Sequence, residues 1–434
     1  MLKPRTLYSF ALWLLLPYIF IRLAWRGRKQ PEYLHHISER FGFYSQNSKN
    51  QGDDKPVIWL HAVSIGETRA TQSLVTQLRA TYPGHQILLT HTTPTGRATS
   101  EQLYGNDVLR VYLPYDYPYA VRRFLNHFHP QLGMLMETEI WANLIHACRN
   151  DNIPLLLLNA RMSEKSAKGY ANFAKLTHPA LNSLSAVAAQ TDDDAARLTQ
   201  LGANNVSVTG NLKFDIEPPA TMLTLGKQLR EKFGGQRKVF LAASTRANSI
   251  QDSEEALLLD ALQQVNDPAL LVVIVPRHPQ RFDEVAHLLE QRNIKFQRRS
   301  TELSIAPDTA VILGDSMGEM FAYYAAADLA FIGGSLLPFG GQNLIESCAV
   351  GTPVLIGPHT YNFAEAVQRA TQCGAAIQVQ SAKPLITEVQ RLLSDAEPLN
   401  EMRKQCLNFV DINQGATNKA LHIINGLIDT SRVQ

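Results

Sequence analysis

Four short segments hold the residues whose types and spacing suit chemistry. The first is VIWLHAVSIGET (57–68), an apolar run that breaks into Ser64-Ile65-Gly66-Glu67 and passes at once into the helical pattern TRATQSLVTQLRATY. A carboxylate at the carboxyl end of a strand can act as a general base at the mouth of a cleft. The helix dipole favours any acidic side chain there, so Glu67 also reads as a plain helix-start residue. The second segment, IGGSLLPFGGQNLIESCAVGTPVLIGP from residue 332, passes through Gly333-Gly334-Ser335 and Gly340-Gly341-Gln342-Asn343 to a helix starting near Leu344. Glycines let a backbone approach a ligand closely, and the free N–H groups of a helix start suit a phosphate. Glu346, on the first turn, is too acidic for a phosphate ligand and suits the hydroxyls of a ribose. The spacing is not the GxGxxG of dinucleotide enzymes, which disfavours a nicotinamide site. The third segment, VVIVPRHPQRF, puts Pro276, Arg277 and His278 just past a strand, where arginine offers a planar fork to phosphate or carboxylate. The fourth, GDSMGEMFAYYAAADLAF, puts Met317-Gly318-Glu319 at the start of a helix. Three such turns in the second half of the chain, all at strand ends, suggest one shared nucleotide pocket.

The elements that must position these turns recur in one rhythm. Apolar strand candidates lie at 57–64, 86–92, 108–115, 132–138, 154–160, 186–191 and 206–210. A second series follows at 239–244, 270–276, 310–314, 329–333, 353–357 and 375–379. Short apolar strands alternating with helical patterns predict parallel sheets covered on both faces. Two series predict two doubly wound α/β domains, in keeping with a length of 434 residues. The expected divisions are an anchor with a basic flank over 1–30, a first domain over 31–212, a linker over 213–236, a second domain over 237–410 and a terminal segment over 411–434. Pro218, Pro219 and Gly234-Gly235 motivate the linker. The last helix, near 415–428, is expected to pack back on the first domain.

Composition narrows the class. Apolar residues make up 45% and charged residues 18% of the chain, which is globular, and a net charge of +2 gives no reason to expect nucleic-acid binding. The four cysteines, Cys148, Cys348, Cys373 and Cys406, have no metal-ligand spacing and read as thiols of a reducing compartment. The exception to a soluble picture is LYSFALWLLLPYIFI (7–21), preceded by Lys3 and Arg5 and followed by Arg22, Arg26, Arg28 and Lys29. It is short for a span of about 20 residues and contains Pro17. No cleavage site follows. An uncleaved anchor helix, spanning or interfacial, is expected, with the body on the cytoplasmic face and the cations near anionic lipid.

These segments carry a resemblance. WLHAVSIGE, THTTPTGR, YLPYDYP, METEIWANLI, NARMSEKSAKGY, TGNLKFD, VPRHPQRF, GDSMGEM, FIGGSLLPFGGQNLIE and GPHTYNF run in the order found in the 3-deoxy-D-manno-octulosonic acid (Kdo) transferases, which the chain resembles from its anchor to about residue 365. The resemblance implies two Rossmann-like domains facing a cleft, the glycosyltransferase B architecture. It implies inverting transfer of Kdo from CMP-Kdo to the lipid A precursor at the bacterial inner membrane, in lipopolysaccharide core biosynthesis, with no metal or other cofactor. Glu67 matches the catalytic base; Glu137 and Lys213 match positions that stabilise the transition state. Pro276 and Arg277, Met317, Gly318 and Glu319, and Asn343, Leu344, Ile345 and Glu346 match the CMP-binding segments, with Gly340 and Gly341 in the adjoining loop. Ser64, Gly66 and Arg97 are candidate contacts for the acceptor or the donor carboxylate.

The chain departs from the family pattern twice. The loop often written GGHN reads GGQN, with Gln342, and the histidine that often follows Ser-Thr after the strand 239–243 is replaced in Ser244-Thr245-Arg246-Ala247, with extra residues before Glu254-Glu255. Asp192-Asp193-Asp194 resembles a metal-binding run but follows a strand and precedes a helical pattern, so capping is the expected role. His61, inside the first strand, is expected to be a satisfied core or cleft residue. A UDP-sugar enzyme of the same fold and a membrane-tethered sugar-nucleotide sensor are the competing readings.

Overall fold

The computed structural model describes residues 3–45, 55–263, 265, 267–301 and 304–433. The chain divides into one unit of Met1–Asp215 with Asn413–Gln434 and another of Ile216–Ile412. In the first unit the strands are β1 (Val57–His61), β2 (Gln86–His91), β3 (Leu109–Tyr112), β4 (Pro130–Met136), β5 (Leu155–Ala160), β6 (Ala186–Ala189) and β7 (Val206–Val208). They form one parallel sheet in the order β3-β2-β1-β4-β5-β6-β7. Successive strand side chains alternate between faces. Trp59, Leu88, Leu135 and Leu157 enter one apolar cluster, while Ile58, Leu60, Leu89, Met134 and Leu156 enter another. Both faces are thus buried, which is why the strands read as apolar runs rather than as an alternation.

Strand ends turn into helices through side-chain caps. Ser64, Thr93, Ser163 and Thr191 each accept a hydrogen bond from the backbone N–H three residues on. The acidic run 192–194 is the first turn of the helix Asp192–Gln200. Asp194 accepts from the Met162 N–H and the Thr191 hydroxyl, so it serves local structure as expected.

The expected single anchor helix is instead two, Pro4–Leu14 and Leu16–Lys29, bent by 47°. Pro17, in the first turn of the second, has no N–H to continue the first helix's hydrogen-bond ladder. No single described helix is long and apolar enough to cross a membrane; the bent pair meets that test together. The Tyr8 hydroxyl donates to Asp116 and the Tyr117 hydroxyl to the Leu12 carbonyl, tying the first helix to this unit. Phe10, Trp13, Leu14, Tyr18, Ile21 and Trp25 remain exposed. Met1 and Leu2, which open the anchor segment, lie outside the described residues.

The last helix, Ala416–Val433, belongs to the first unit. Its Ala416, Ala420, Ile424 and Ile428 are buried in the cluster of Leu60 and Met134. Burying each isoleucine contributes about 1.5–3 kcal/mol. The Asp215 carboxylate accepts the N–H groups of Gly415 and Thr417, so the point where the chain leaves this unit is hydrogen-bonded to the point where it returns.

The second unit contains β8 (Lys238–Thr245), β9 (Leu270–Pro276), β10 (Phe296–Arg298), β11 (Val311–Leu313), β12 (Leu329–Ile332), β13 (Val354–Ile356) and β14 (Ala376–Gln378). Its parallel order is β10-β11-β9-β8-β12-β13-β14. The strand β10 was not foreseen. The stretch read as a linker over 213–236 instead holds a helix, Ala220–Lys232, whose Gly226 and Leu229 are buried. Pro219 is its N-cap, and Gly234, at φ 87°, lies just past its end.

Candidate active site

In each sheet the strand order reverses direction beside the first strand, between β1 and β4 and between β8 and β12. Open α/β sheets bind ligands at such switch points, outside the carboxyl ends of the strands. Glu67 lies one short turn past β1. Its carboxylate accepts from the Val63 N–H and the Ser64 hydroxyl, both at 2.8 Å, while Ser64 caps the Glu67 N–H. That is close to a capping box, so the helix-start role is realised. Capping does not account for the rest of the neighbourhood. Glu137, just past β4, and Glu139 place two further carboxylates close enough to act on Glu67. Burial chiefly, opposed by the Val63 N–H and reinforced by the Glu137 charge, pushes the Glu67 pKa up to about 7. A carboxyl held near neutrality matches the proton affinity a general base needs.

Glu137 occupies the left-handed region at φ 56°, an unfavourable conformation for a residue with a side chain. Its carboxylate receives the Lys213 ammonium at 3.1 Å. Lys213 is itself placed by a relay from β5. The Asn159 side chain accepts the Leu212 N–H, and the Asn211 side chain accepts the Lys213 N–H. The structure therefore joins Glu137 and Lys213, 76 residues apart, into one ion pair with both side chains partly exposed. A cation so held can stabilise charge that develops on a leaving group. Lys213→Ala is expected to lower turnover roughly 10²-fold, measured as kcat at saturating substrate.

The other first-unit candidates fall out differently. Gly66 is exposed, and a methyl group there would meet nothing nearer than the Ser64 hydroxyl at 3.9 Å. Packing does not demand glycine at this position. The Arg97 charge is already engaged by Glu39 at 2.8 Å, and its guanidinium lies over the Tyr112 ring. His61 is fully buried, with Nδ1 facing the Thr90 backbone and hydroxyl oxygens; burial and the neighbouring His91 lower its pKa to about 3, so it is neutral. Glu139 was not singled out in the sequence. It receives the Trp141 indole N–H, and burial raises its pKa.

The second unit assembles its turns around Glu254, which is fully buried. Its carboxylate accepts the backbone N–H groups of Arg246, Gly334, Ser335 and Leu336 at 2.6–2.9 Å, with Leu337 at 3.5 Å. One side chain thereby fixes the loops after β8 and β12 to each other. Gly333 is required at that junction, because a Cβ would lie 2.5 Å from the Ser244 carbonyl oxygen. The adjacent Glu255 is gripped by both Arg281 terminal nitrogens and by the Thr245 hydroxyl. Pro276 ends β9, and the Arg277 N–H bonds the Thr245 carbonyl, so this turn lies beside the β8 turn. The Gly341 N–H bonds the Gly334 carbonyl, and Gly340 sits at φ 90° against Tyr361 and Asn362. Asn343 accepts the Ile345 N–H and donates to Glu346, orienting that carboxylate; Leu344 is buried. Glu319 stands at the N-cap position of Met320–Ala326 without a side-chain cap bond, its carboxylate held instead by Arg299 and Ser316, with Gly318 at φ 81° and Met317 exposed. Sequence reasoning did not foresee the role of Glu254, since all its partners but Arg246 lie about 80 residues ahead.

Residues 35–216 match the family model of the 3-deoxy-D-manno-octulosonic-acid transferases, and 255–408 match that of the group 1 glycosyl transferases. The 3-deoxy-D-manno-octulosonic acid transferase of Bordetella pertussis is 40% identical over 429 residues, which cover 96% of this chain and 98% of that one. The chain belongs to the Kdo transferase family. The Haemophilus influenzae transferase is 35% identical, with 98% and 99% of the two chains covered. The UDP-GlcNAc 2-epimerase of Neisseria meningitidis, 15% identical, superposes with a TM-score of 0.58 over 86% of this chain and all of that one. That likeness concerns the fold, two Rossmann-like domains of the glycosyltransferase B type. Of the site residues, Glu67, Glu137 and Lys213 fall within the stretch matched by the Kdo transferase model. Glu254 lies one residue outside the group 1 match, which takes in Arg277, Glu319 and Glu346.

Proposed function

We propose that this Kdo transferase moves Kdo from CMP-Kdo to a sugar hydroxyl of the lipid A precursor, lipid IVA, with inversion. The observation that carries the mechanism is the Glu67 carboxyl, whose pKa of about 7 accompanies the Glu137–Lys213 pair at the same switch point. Glu67 takes the acceptor proton as that oxygen attacks the anomeric carbon. The bond to the CMP phosphate oxygen breaks with its electron pair, and CMP departs. Attack opposite the leaving group inverts the centre, as in an inverting glycosidase with a sugar hydroxyl in place of water. Lys213 is suited to the charge that builds on the departing phosphate. The second unit holds CMP-Kdo through the turns at 276–277, 317–319 and 340–346. No metal enters these steps.

The bent helix pair supports a membrane location for the acceptor. Exposed Phe10, Trp13, Tyr18 and Trp25 with flanking arginines form an amphipathic surface suited to the lipid interface and to anionic headgroups. We assign it to the cytoplasmic face of the bacterial inner membrane. The test is incubation of the full chain with CMP-Kdo and tetra-acylated lipid A precursor, followed by mass analysis of the product. Mass gains in Kdo steps establish donor and acceptor together. Absence of product with a protein that still binds CMP refutes the acceptor.

A further inference from the structure

The strand β8 contains a fault at its carboxyl end. Its pairing with β9 slips between Ala243 and Thr245, and Ser244 there takes φ 55°. A bulge with a left-handed serine is a conformation that the surrounding structure must impose, and such features re-aim the side chains that follow. Here the residue re-aimed is Arg246. Its backbone is pinned on both sides, its N–H to the Glu254 carboxylate at 2.9 Å and its carbonyl to the Glu254 N–H at 3.0 Å. The side chain is treated in the opposite way. It is half-buried, with its guanidinium over the Phe339 ring at 4.5 Å, and among the described residues it has no hydrogen-bond or ion-pair partner.

A second polar side chain without a partner among the described residues, that of Gln342, lies beside it. A methyl group at Gly334 would stand 3.4 Å from the Arg246 Cγ and 3.1 Å from the Gln342 Nε2, so these two side chains flank the same glycine. Arg246 and Gln342 are also the two positions at which the chain departs from the family pattern. The departures are therefore one local feature, at the switch point between β8 and β12. Burial and the Arg246, Arg277 and Arg281 cations lower the pKa of nearby His278, which leaves the positive charge with the arginines. A stacked guanidinium keeps its planar fork pre-organised for an oxyanion, and a carboxamide adds one neutral donor.

We propose that Arg246, with Gln342 beside it, binds an anionic oxygen pair of the sugar-nucleotide donor, either the phosphodiester or the sugar carboxylate. This rests on the donor reading above. The test is calorimetric titration of the full chain with CMP and with cytidine, beside the KM for CMP-Kdo, in the wild type, Arg246→Ala and Arg246→Lys. If the phosphate is the partner, Arg246→Ala weakens CMP roughly 10- to 100-fold and leaves cytidine unchanged. If the carboxylate is the partner, CMP affinity stays and the KM for CMP-Kdo rises by a similar factor. Lysine restores only part of either loss, because it cannot make the forked contact. The alanine variant keeps the backbone bonds to Glu254, so its thermal midpoint is expected to match the wild type. Unchanged CMP affinity and unchanged KM in a folded Arg246→Ala overturn the assignment. A wild-type protein that fails to bind CMP at all refutes the donor reading instead, and the assignment falls with it.

Discussion

Glu67→Gln is expected to lower turnover roughly 10²- to 10⁴-fold, the range for loss of a positioned general base, while CMP affinity stays as in the wild type. Glutamine is chosen because its amide oxygen can still accept the Val63 N–H, so the helix start survives and the base alone is removed. The pH profile separates the two roles further. Burial raises the Glu67 pKa to about 7, and only the ionised form can accept a proton. The wild-type kcat/KM should therefore fall about tenfold per pH unit below that value and level off above it. The variant should lose this limb along with most of its rate. Retention of both rate and limb in Glu67→Gln would reduce the residue to a cap and move the base elsewhere, with Glu139 the next carboxylate to test.

Glu254→Gln is expected to produce the largest loss of stability. Each carboxylate oxygen receives at least two backbone N–H groups, and no donor is offered to an acceptor anywhere in this nest. An amide must turn its NH₂ toward one of those pairs and leave two buried donors unmet. At about 1–3 kcal/mol for each orphaned group, the loss is about 2–6 kcal/mol. That is a large share of the stability of an ordinary domain, roughly 5–15 kcal/mol. The thermal midpoint of the second unit should fall by about 2–4 °C per kcal/mol, and CMP affinity should fall with it because the loops after β8 and β12 are no longer joined. An unchanged melting curve would mean that the nest does not depend on the negative charge.

The fold was legible where burial on both sheet faces wrote apolar runs into the sequence. Strands inside both sheets announce themselves in this way, while β7 (Val206–Val208) and β14 (Ala376–Gln378) are legible as short apolar segments although each is partly exposed. The exception, β10, is the three-residue strand Phe296–Arg298, whose residues are only half-buried and two of them polar, so no run exists to be read. The supposed linker misled because its signals were genuine but local. Pro219 and Gly234 punctuate a helix at its start and stop, and the same residue types mark loops. At the site, Glu67, Glu137 and Lys213 were named through the family resemblance, yet their pairing was invisible, since Glu137 meets Lys213 across 76 residues. Glu254 escaped for a related reason, because its role comes from a backbone nest that leaves no residue pattern of its own. Arg246 is visible in the sequence as a departure from the family pattern, but the strand bulge that aims it is not.

The return of the last helix to the first sheet has a consequence for how the protein is made. A ribosome finishes 1–215 and must then synthesise the whole contiguous second unit before Ala416, Ala420, Ile424 and Ile428 exist. At about 5–20 residues per second, that interval lasts roughly 10–40 s. Throughout it, the face of the first sheet that carries Leu60 and Met134 lacks its final cover, and the second unit completes its own core only as Leu399 and Met402 emerge near the end. The newborn chain thus holds a sticky, half-clothed sheet during the later half of its synthesis, and a stop codon a mere twenty residues early would leave it that way for good.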